Sequence, residues 1–505
     1  MRGLGVKQSL DSERMSNGMK DYDVVIIGGG IGSLACAGIL ASEGVKVLVL
    51  EKNPAAGGYL TSFKRKGFTF DSAVDCFSGG DKDGAITYLL KKLGVEEEVN
   101  LIKIDPVRES IFPGMRVKTW SSINASIEEL KRLFPREKGI DGFFEKAADI
   151  YRGITGWANE MMQSRGDKPA LPSVFLKYGG ITYKNLMDDY LCDERLKSVL
   201  SDRCQFLGLP PSRTSAINMS SLLMSYFISG AYRPAGGCQK LADALVKGIK
   251  QKGGHIIFNK EASRIITDND TAAAVADADG TEYTADFIVS NIDYLRTCSI
   301  LDNGGHASSC RERVEDYGVS PSFFILYIGA AMDLSFLGSS SSICYFPSFD
   351  MEKVFDFRNS FTEETPVGVA IPTMHDHSMA PPNCHALMVP ELTEYSYAGS
   401  WKTEKQRLSD MVLKKAEKII PGLSKHVVCR EAATPATLER YTANFRGAAY
   451  GWKPMPWLRP IKTGVKNLYL AGHWDGLGGG VITATYSGFK TAREILRQTA
   501  AKKNS

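Results

Sequence analysis

A short apolar run, Asp23-Val24-Val25-Ile26-Ile27, breaks into Gly28-Gly29-Gly30-Ile31-Gly32-Ser33 and then into Leu34 to Glu43, which reads as a helix. Small residues Ala35, Ala37 and Gly38 let that helix lie close to a sheet. A second apolar run, Val45 to Leu50, closes on Glu51. This is a β–α–β unit of the dinucleotide-binding kind. Gly28 permits the tight turn, and Gly30 lets backbone approach a pyrophosphate. The third position of the G-x-G-x-x-G pattern holds Ser33, small enough for helix–strand packing, with Gly32 just before it. Backbone N–H groups at the helix start, around Ile31, then meet the phosphates. Glu51 stands about 20 residues beyond the loop, where a carboxylate hydrogen-bonds a ribose and repels a 2′-phosphate.

With 505 residues, the chain is too long for one compact core and suggests two or three structural units. Hydrophobic residues make up 43% and charged residues 23%, as in ordinary globular proteins. A formal net charge of +4, with no basic patch interleaved with aromatics, gives no reason to expect nucleic acid as a partner. The ten cysteines are scattered without a CxxC pair, so reduced thiols in a cytosolic compartment are expected. Residues 1–20 are polar and read as a disordered tail, and no apolar stretch is long enough to span a bilayer. Peripheral attachment at the cytoplasmic face of a membrane stays open.

Beyond the loop, Asn53-Pro54-Ala55-Ala56-Gly57-Gly58 makes a second glycine turn and Gly67 to Asp71 a strand. Helical patterns follow over Ser126 to Phe134, Gly142 to Met161 and Tyr183 to Leu200. Gly236-Gly237 launches a helix from Gln239 to Gln251, with strands expected over His255 to Ile266, Glu282 to Ser290 and Ser322 to Ile328. Trp401 to Ile420 reads as a helix stopped by Pro421-Gly422. Asn467 to Ala471 is a strand, Gly472 to Gly480 a glycine-rich loop and Val481 to Ala500 a helix. The predicted fold is α/β: a Rossmann-like dinucleotide-binding domain with an interrupting mixed sheet-plus-helices substrate domain. Its nucleotide-binding parts are expected at 21–90, 230–297 and 425–500, and its substrate parts at 91–229 and 298–424.

The chain resembles the FAD-dependent carotenoid desaturases and isomerases, the phytoene desaturase-like proteins that include retinol saturases, within the wider amine-oxidase-like superfamily. The resemblance runs over nearly the whole length. Its landmarks are Val24 to Ser33 with Glu51-Lys52 and Gly57-Gly58; Gly67-Phe68-Thr69-Phe70-Asp71; Tyr232-Arg233-Pro234-Ala235-Gly236-Gly237; Ala285 to Asn291; Gly447 to Gly451; and Leu470-Ala471-Gly472-His473-Trp474 with Gly478 to Val481. The resemblance implies a cofactor of FAD, held without a covalent bond. It places Glu51 at the adenosine ribose, Ala262 at the adenine, and Lys52, Gly57, Gly58 and Tyr59 along the cofactor. Asn291, Gly472, His473, Gly480 and Val481 would close on the flavin side. Relatives often carry Arg where Tyr59 stands and Asp where His473 stands.

The chemistry expected of such a chain is alteration of carbon–carbon bonds in a long apolar isoprenoid by desaturation, saturation or cis–trans isomerisation. Flavin supplies the electron chemistry, and oxygen, a membrane quinone or an external reductant completes it. His473 and Asp475 in the C-terminal loop, and Tyr232 and Arg233 beside the middle glycine turn, are the catalytic candidates. Phe323 to Tyr327 could line an apolar tunnel or form a buried strand. The cluster His375, Asp376, His377, Cys384 and His385 matches no zinc spacing, so no metal is expected. Two other readings stay open: a flavin amine oxidase acting on a more polar substrate, and a non-catalytic flavoprotein scaffold.

Overall fold

A computed structural model describes residues 20–163, 170–302, 307–457 and 461–504; all of the expected tail except Lys20 lies outside them. Strand β1 (Tyr22–Ile27) runs parallel to β2 (Val47–Leu50) on one side and to β3 (Glu282–Ser290) on the other. Val24 to Ile27 and all of β2 are buried, as parallel strands covered on both faces must be. His255–Ile257 extends the sheet beyond β2. The start of β3 pairs with the hairpin strand Thr271–Asp277, while its last three residues pair with Leu468–Leu470. Segments from the beginning, middle and end of the chain therefore share one seven-stranded sheet.

One face of that sheet is covered by helix α1 (Ile31–Ser42), by Ala85–Leu93 and Gln239–Gln251, and by the last helix, α2 (Val481–Asn504). The two helices α1 and α2 cross closely because Gly488 has no side chain; a methyl group there would run into Gly32 O.

The second sheet also has seven strands and is mixed. Its centre is β4 (Ser322–Ala330), paired antiparallel with β5 (His385–Thr393) and with Val427–Ala433. Val367–Ala370, Ser342–Tyr345, Arg108–Phe112 and Met115–Thr119 continue it. Alternation along β4 sorts its residues: Phe324, Leu326 and Ile328 pack under helix Trp401–Ala416, and Ile325 and Tyr327 face Phe68 and Phe70. Helices Ile140–Gln163 and Ala216–Ser229 build a separate core beside this sheet.

Several expected elements differ in detail. The helix expected over Tyr183 to Leu200 is two, Tyr183–Asp188 and Glu194–Leu200, because Asp193 caps the second through the Arg195 and Leu196 N–H groups. The strand expected over His255 to Ile266 splits into His255–Ile257 and Ala262–Asp268 around Asn259, whose φ is +55°. The helix from Trp401 ends at Ala416 rather than Ile420. The expectation of uniformly reduced thiols is corrected: Cys298, at the end of one short helix, is bonded to Cys310 on the next, and the other eight cysteines are free. No helix among the described residues is long and apolar enough to cross a membrane.

Candidate active site

β1 ends in a turn at Gly28, where φ is +90°. Three glycines are needed here because three chain segments converge. A Cβ on Gly30 would lie 2.7 Å from Asn291 Nδ2, and one on Gly32 would lie 2.6 Å from Gly472 N. Asn291 follows β3 directly and clips the segments together. With its amide oriented to satisfy both neighbours, it donates to Ala471 O (3.1 Å) and accepts from Gly30 N–H (3.3 Å). The first turn of α1 carries no acidic residue and no side-chain cap, so its N–H groups face the cleft unspent.

Glu51, just after β2, is buried and forms no salt bridge among the described residues. Its Oε2 accepts from Gly29 N–H at 2.6 Å, and its Oε1 accepts from Asn53 N–H and Nδ2 at 2.7 and 2.8 Å. Backbone donors thus hold a carboxylate at the rim of the glycine loop, where a ribose would meet it. Lys52 donates to Arg440 O at 2.8 Å, and burial lowers its pKa.

The opposite wall comes from the C-terminal loop. Gly472 N–H donates to Ser487 Oγ (2.9 Å), Ser487 donates to Asp475 Oδ2 (2.6 Å), and Lys490 pairs with that carboxylate at 2.7 Å. This relay ties the loop to α2. Trp474 Nε1, which can only donate, lies 2.8 Å from Asn444 Oδ1 and so fixes that atom as an acceptor. His473 Nε2 lies 3.1 Å from the same oxygen and therefore carries the ring proton. Burial pushes the His473 pKa down to about 4, against the pull of Asp475, so the ring is neutral at pH 7. Tyr59 donates to Ala448 O (2.9 Å), its ring is 6.2 Å from that of His473, and burial raises its phenol to about 12.

One cleft of about 330 Å³ joins these parts. Gly28, Gly30, Ile31, Gly32, Glu51 and Lys52 line it at one end, with Ala262 and Asn291 beside them. Gly57, Gly58, Tyr59, Gly472, His473, Gly480 and Val481 line its middle. It continues between the sheets past Phe323, Val369, Met388, Pro390 and Leu392, and past Leu222 and Tyr226 of the helix Ala216–Ser229. Ser33 does not line it; its side chain is fully buried behind the loop and its Oγ has no partner among the described residues.

Asp475 is also off the cleft wall, engaged in the relay above. Arg233 is 1% exposed, and its Nη2 donates to Asp75 Oδ1 at 2.6 Å. Tyr232 packs its ring over Gly80. Of the apolar run from Phe323 to Tyr327, only Phe323 reaches the cleft, and Tyr327 donates to Ser72 O at 2.5 Å. His375 and His385 bond to Ser341 and Thr373, and Asp376 accepts from Gly236 N–H and Ser378. Sequence reasoning did not single out Arg108, Gln205, Asn444 or Tyr450 as site residues. The available signals were the charged pair Arg108-Glu109 at the head of a strand and the place of Tyr450 within the Gly447 to Gly451 landmark.

A glycine cradle that side chains would fill, a ribose-placed carboxylate, free helix N–H groups and a neutral closing loop together fit FAD. The fold and site define a flavin-dependent oxidoreductase. The model of the flavin containing amine oxidoreductases matches residues 34–294, and the chain belongs to that family. It is 28% identical to a chloroplastic prolycopene isomerase of Arabidopsis thaliana, over 99% of this chain and 87% of that one. It is 24% identical to an all-trans-retinol 13,14-reductase of Danio rerio, over 90% of this chain and 82% of that one. Among solved structures, an oxidoreductase from Methanosarcina mazei superposes with a TM-score of 0.64 at 20% identity, covering 93% of this chain and 99% of the other. The cofactor is FAD, and the protein is an enzyme.

Proposed function

We propose that the enzyme alters carbon–carbon double bonds in a long apolar polyene of the carotenoid or retinoid kind. One observation carries this reading: the cleft that holds the glycine cradle is also walled by Phe323, Val369, Met388, Pro390 and Leu392 of the second sheet, with only a few polar groups such as Arg108, Gln205 and Glu391 among them. Such walls suit a chain that offers no polar handle along its length. Bound FAD supplies two-electron exchange with a carbon–carbon unit. The protein's own part is to hold the chain against the cofactor and keep water out. A neutral His473, with its Nε2 proton given to Asn444, suits positioning and leaves Nδ1 as an acceptor. Asp475 acts through the loop it ties down. Arg233, held by Asp75, braces the wall.

The FAD is held non-covalently in this reading. The cysteine that lines the cleft, Cys76, has its thiol pushed up to about 12 by burial, which keeps it protonated and unreactive. In the desaturating direction, electrons pass on to oxygen or a membrane quinone. In the saturating direction, an external reductant supplies them. Isomerisation uses reduced flavin with no net turnover of electrons. The relatives' names include both an isomerase and a reductase, so the direction needs experiment. Anaerobic incubation of the holoenzyme with polyenes, while flavin absorbance is followed, separates the cases. Bleaching by polyene alone marks desaturation. Product formed only after pre-reduction marks saturation or isomerisation, which product mass tells apart. A flavin indifferent to every polyene, but bleached by an amine, sinks the proposal.

Docking on a lipid surface belongs to the same reading, because polyenes reside in lipid. Leu171, Leu176 and Ile228 stand out from the region of helices Ser173–Tyr178 and Ala216–Ser229, exposed by 57%, 74% and 52%. Flotation with liposomes should carry the enzyme upward, and Leu176→Glu should weaken that. An enzyme that stays at the bottom of the gradient with every lipid removes this part.

A further inference from the structure

On the second-sheet side of the cleft, Arg108 and Gln205 stand together although 97 residues separate them in sequence. Gln205 Oε1 accepts from Arg108 Nη2 at 2.9 Å and from Cys344 Sγ at 3.1 Å. Both lone pairs of that oxygen are taken, and the amide orientation is fixed. Gln205 Nε2 and Arg108 Nη1 then meet no acceptor among the described residues. Arg108 Nε lies 3.3 Å from Asp202 Oδ2 but makes no hydrogen bond with it. Arg108 is 5% exposed, with its guanidinium 5.0 Å from the Phe206 ring.

The nearby carboxylates are already committed. Asp202 accepts from Ser110 and faces both Arg108 and Arg203; Asp75 holds Arg233; Asp71 accepts from Ser62 and Cys238. Arg203 and Arg233 themselves keep buried N–H groups without partners among the described residues. The cleft wall therefore presents a guanidinium, its charge faced by Asp202, and an amide donor side by side, with N–H groups that meet no acceptor among the described residues.

We propose that Arg108 and Gln205 dock an acceptor oxygen at the end of the substrate's apolar chain: a carboxylate, or a carbonyl conjugated with the polyene. This deepens the polyene reading above and rests on it. A hydrocarbon would bury these donors unpaired, which is costly. A site built to hydrogen-bond an oxygen rejects the analogue that lacks it far more strongly than an apolar pocket discriminates by shape.

The test titrates the flavin absorbance of anaerobic holoenzyme with retinoic acid, with the corresponding aldehyde, and with the hydrocarbon in which a methyl group replaces the carboxyl. The acid or the aldehyde should bind at least about tenfold more tightly than the hydrocarbon. Arg108→Met should bring all three to within about twofold. Gln205→Glu keeps the acceptor for Arg108 while adding a negative charge. It should weaken the acid by at least about tenfold and leave the hydrocarbon unchanged. Gln205→Glu alone decides the matter if Arg108→Met fails to fold. Equal binding of hydrocarbon, aldehyde and acid, or a preference that survives both substitutions, overturns the inference and leaves the polyene reading standing. A flavin that responds to none of the three overturns both.

Discussion

At the scale of single residues, the cofactor site is built from absences. Gly32 lies where a side chain would strike the Gly472 backbone, so the glycine loop and the C-terminal loop meet only because neither carries a Cβ. Gly32→Ala should cut the flavin content of purified protein by more than about tenfold, since displacement of the closing loop by even an ångström is felt in binding. Gly156 is the control: it lies in helix Ile140–Gln163, and a Cβ added there would meet nothing within 4 Å. Gly156→Ala should keep full flavin content and raise stability by about 0.5–1 kcal/mol in urea unfolding. His473 makes a further prediction at this scale. Its pKa is near 4 in the folded state against 6.5 unfolded, so between those values the unfolded chain binds the extra proton. The stability it contributes is complete above pH 6.5 and is lost as the pH falls toward 4. Unfolding measured at pH 7 and pH 5 should show His473→Gln losing roughly 1–2 kcal/mol less than wild type on acidification. Asp293, raised by burial to about 6, works in the opposite sense. Its contribution is full below pH 3.8 and is lost as the pH rises through 6, and because wild type and His473→Gln both carry it, it cancels in their comparison.

At the scale of elements, helix Trp401–Ala416 is pinned to the second sheet by a buried pair. Lys415 Nζ lies 2.7 and 2.8 Å from the two oxygens of Glu391 on β5, with Thr365 and Phe361 N–H also bonded to that carboxylate. Removing one partner leaves a buried charge uncompensated. Lys415→Met should cost about 3–5 kcal/mol in chemical denaturation, and Glu391→Leu added to it should recover much of the loss. If the single variant unfolds like wild type, the pair carries no such weight. Elements also show what a sequence can reveal. The glycine loop, Glu51 and the Gly472 loop were legible because each is a short local pattern whose backbone demand admits few residue types. Arg108 and Gln205 were not, because their meeting depends on how strands far apart in sequence pair. The Cys298–Cys310 bond follows from two short helices packing together, which no motif announces. Asp193 was read as interior to one helix because its side chain acts on backbone rather than on the apolar pattern.

At the scale of the whole molecule, the cofactor cleft is where distant stretches of chain are held against one another. β1 and α1 come from the start of the chain, β3 and Asn291 from its middle, and Gly472 and α2 from its end. They are joined by the pairing of β1 with β3 and of β3 with Leu468–Leu470, by the Asn291 amide between Gly30 and Ala471, and by the crossing of α1 and α2 at Gly488. A ligand that touches all three stretches binds the folded arrangement and not the unfolded chain, so it must stabilise the whole by mass action. At a free FAD concentration about 100 times its dissociation constant, that stabilisation should be about 2.7 kcal/mol, read as a rise in melting temperature over flavin-stripped protein. Truncation before α2 should abolish the rise, because it removes Ser487 and Lys490, which hold the Gly472 N–H and the Asp475 carboxylate. A melting temperature independent of FAD, in protein shown by absorbance to bind it, would mean that the unfolded chain binds FAD as tightly as the folded one, so that the cofactor does not depend on the three stretches being brought together.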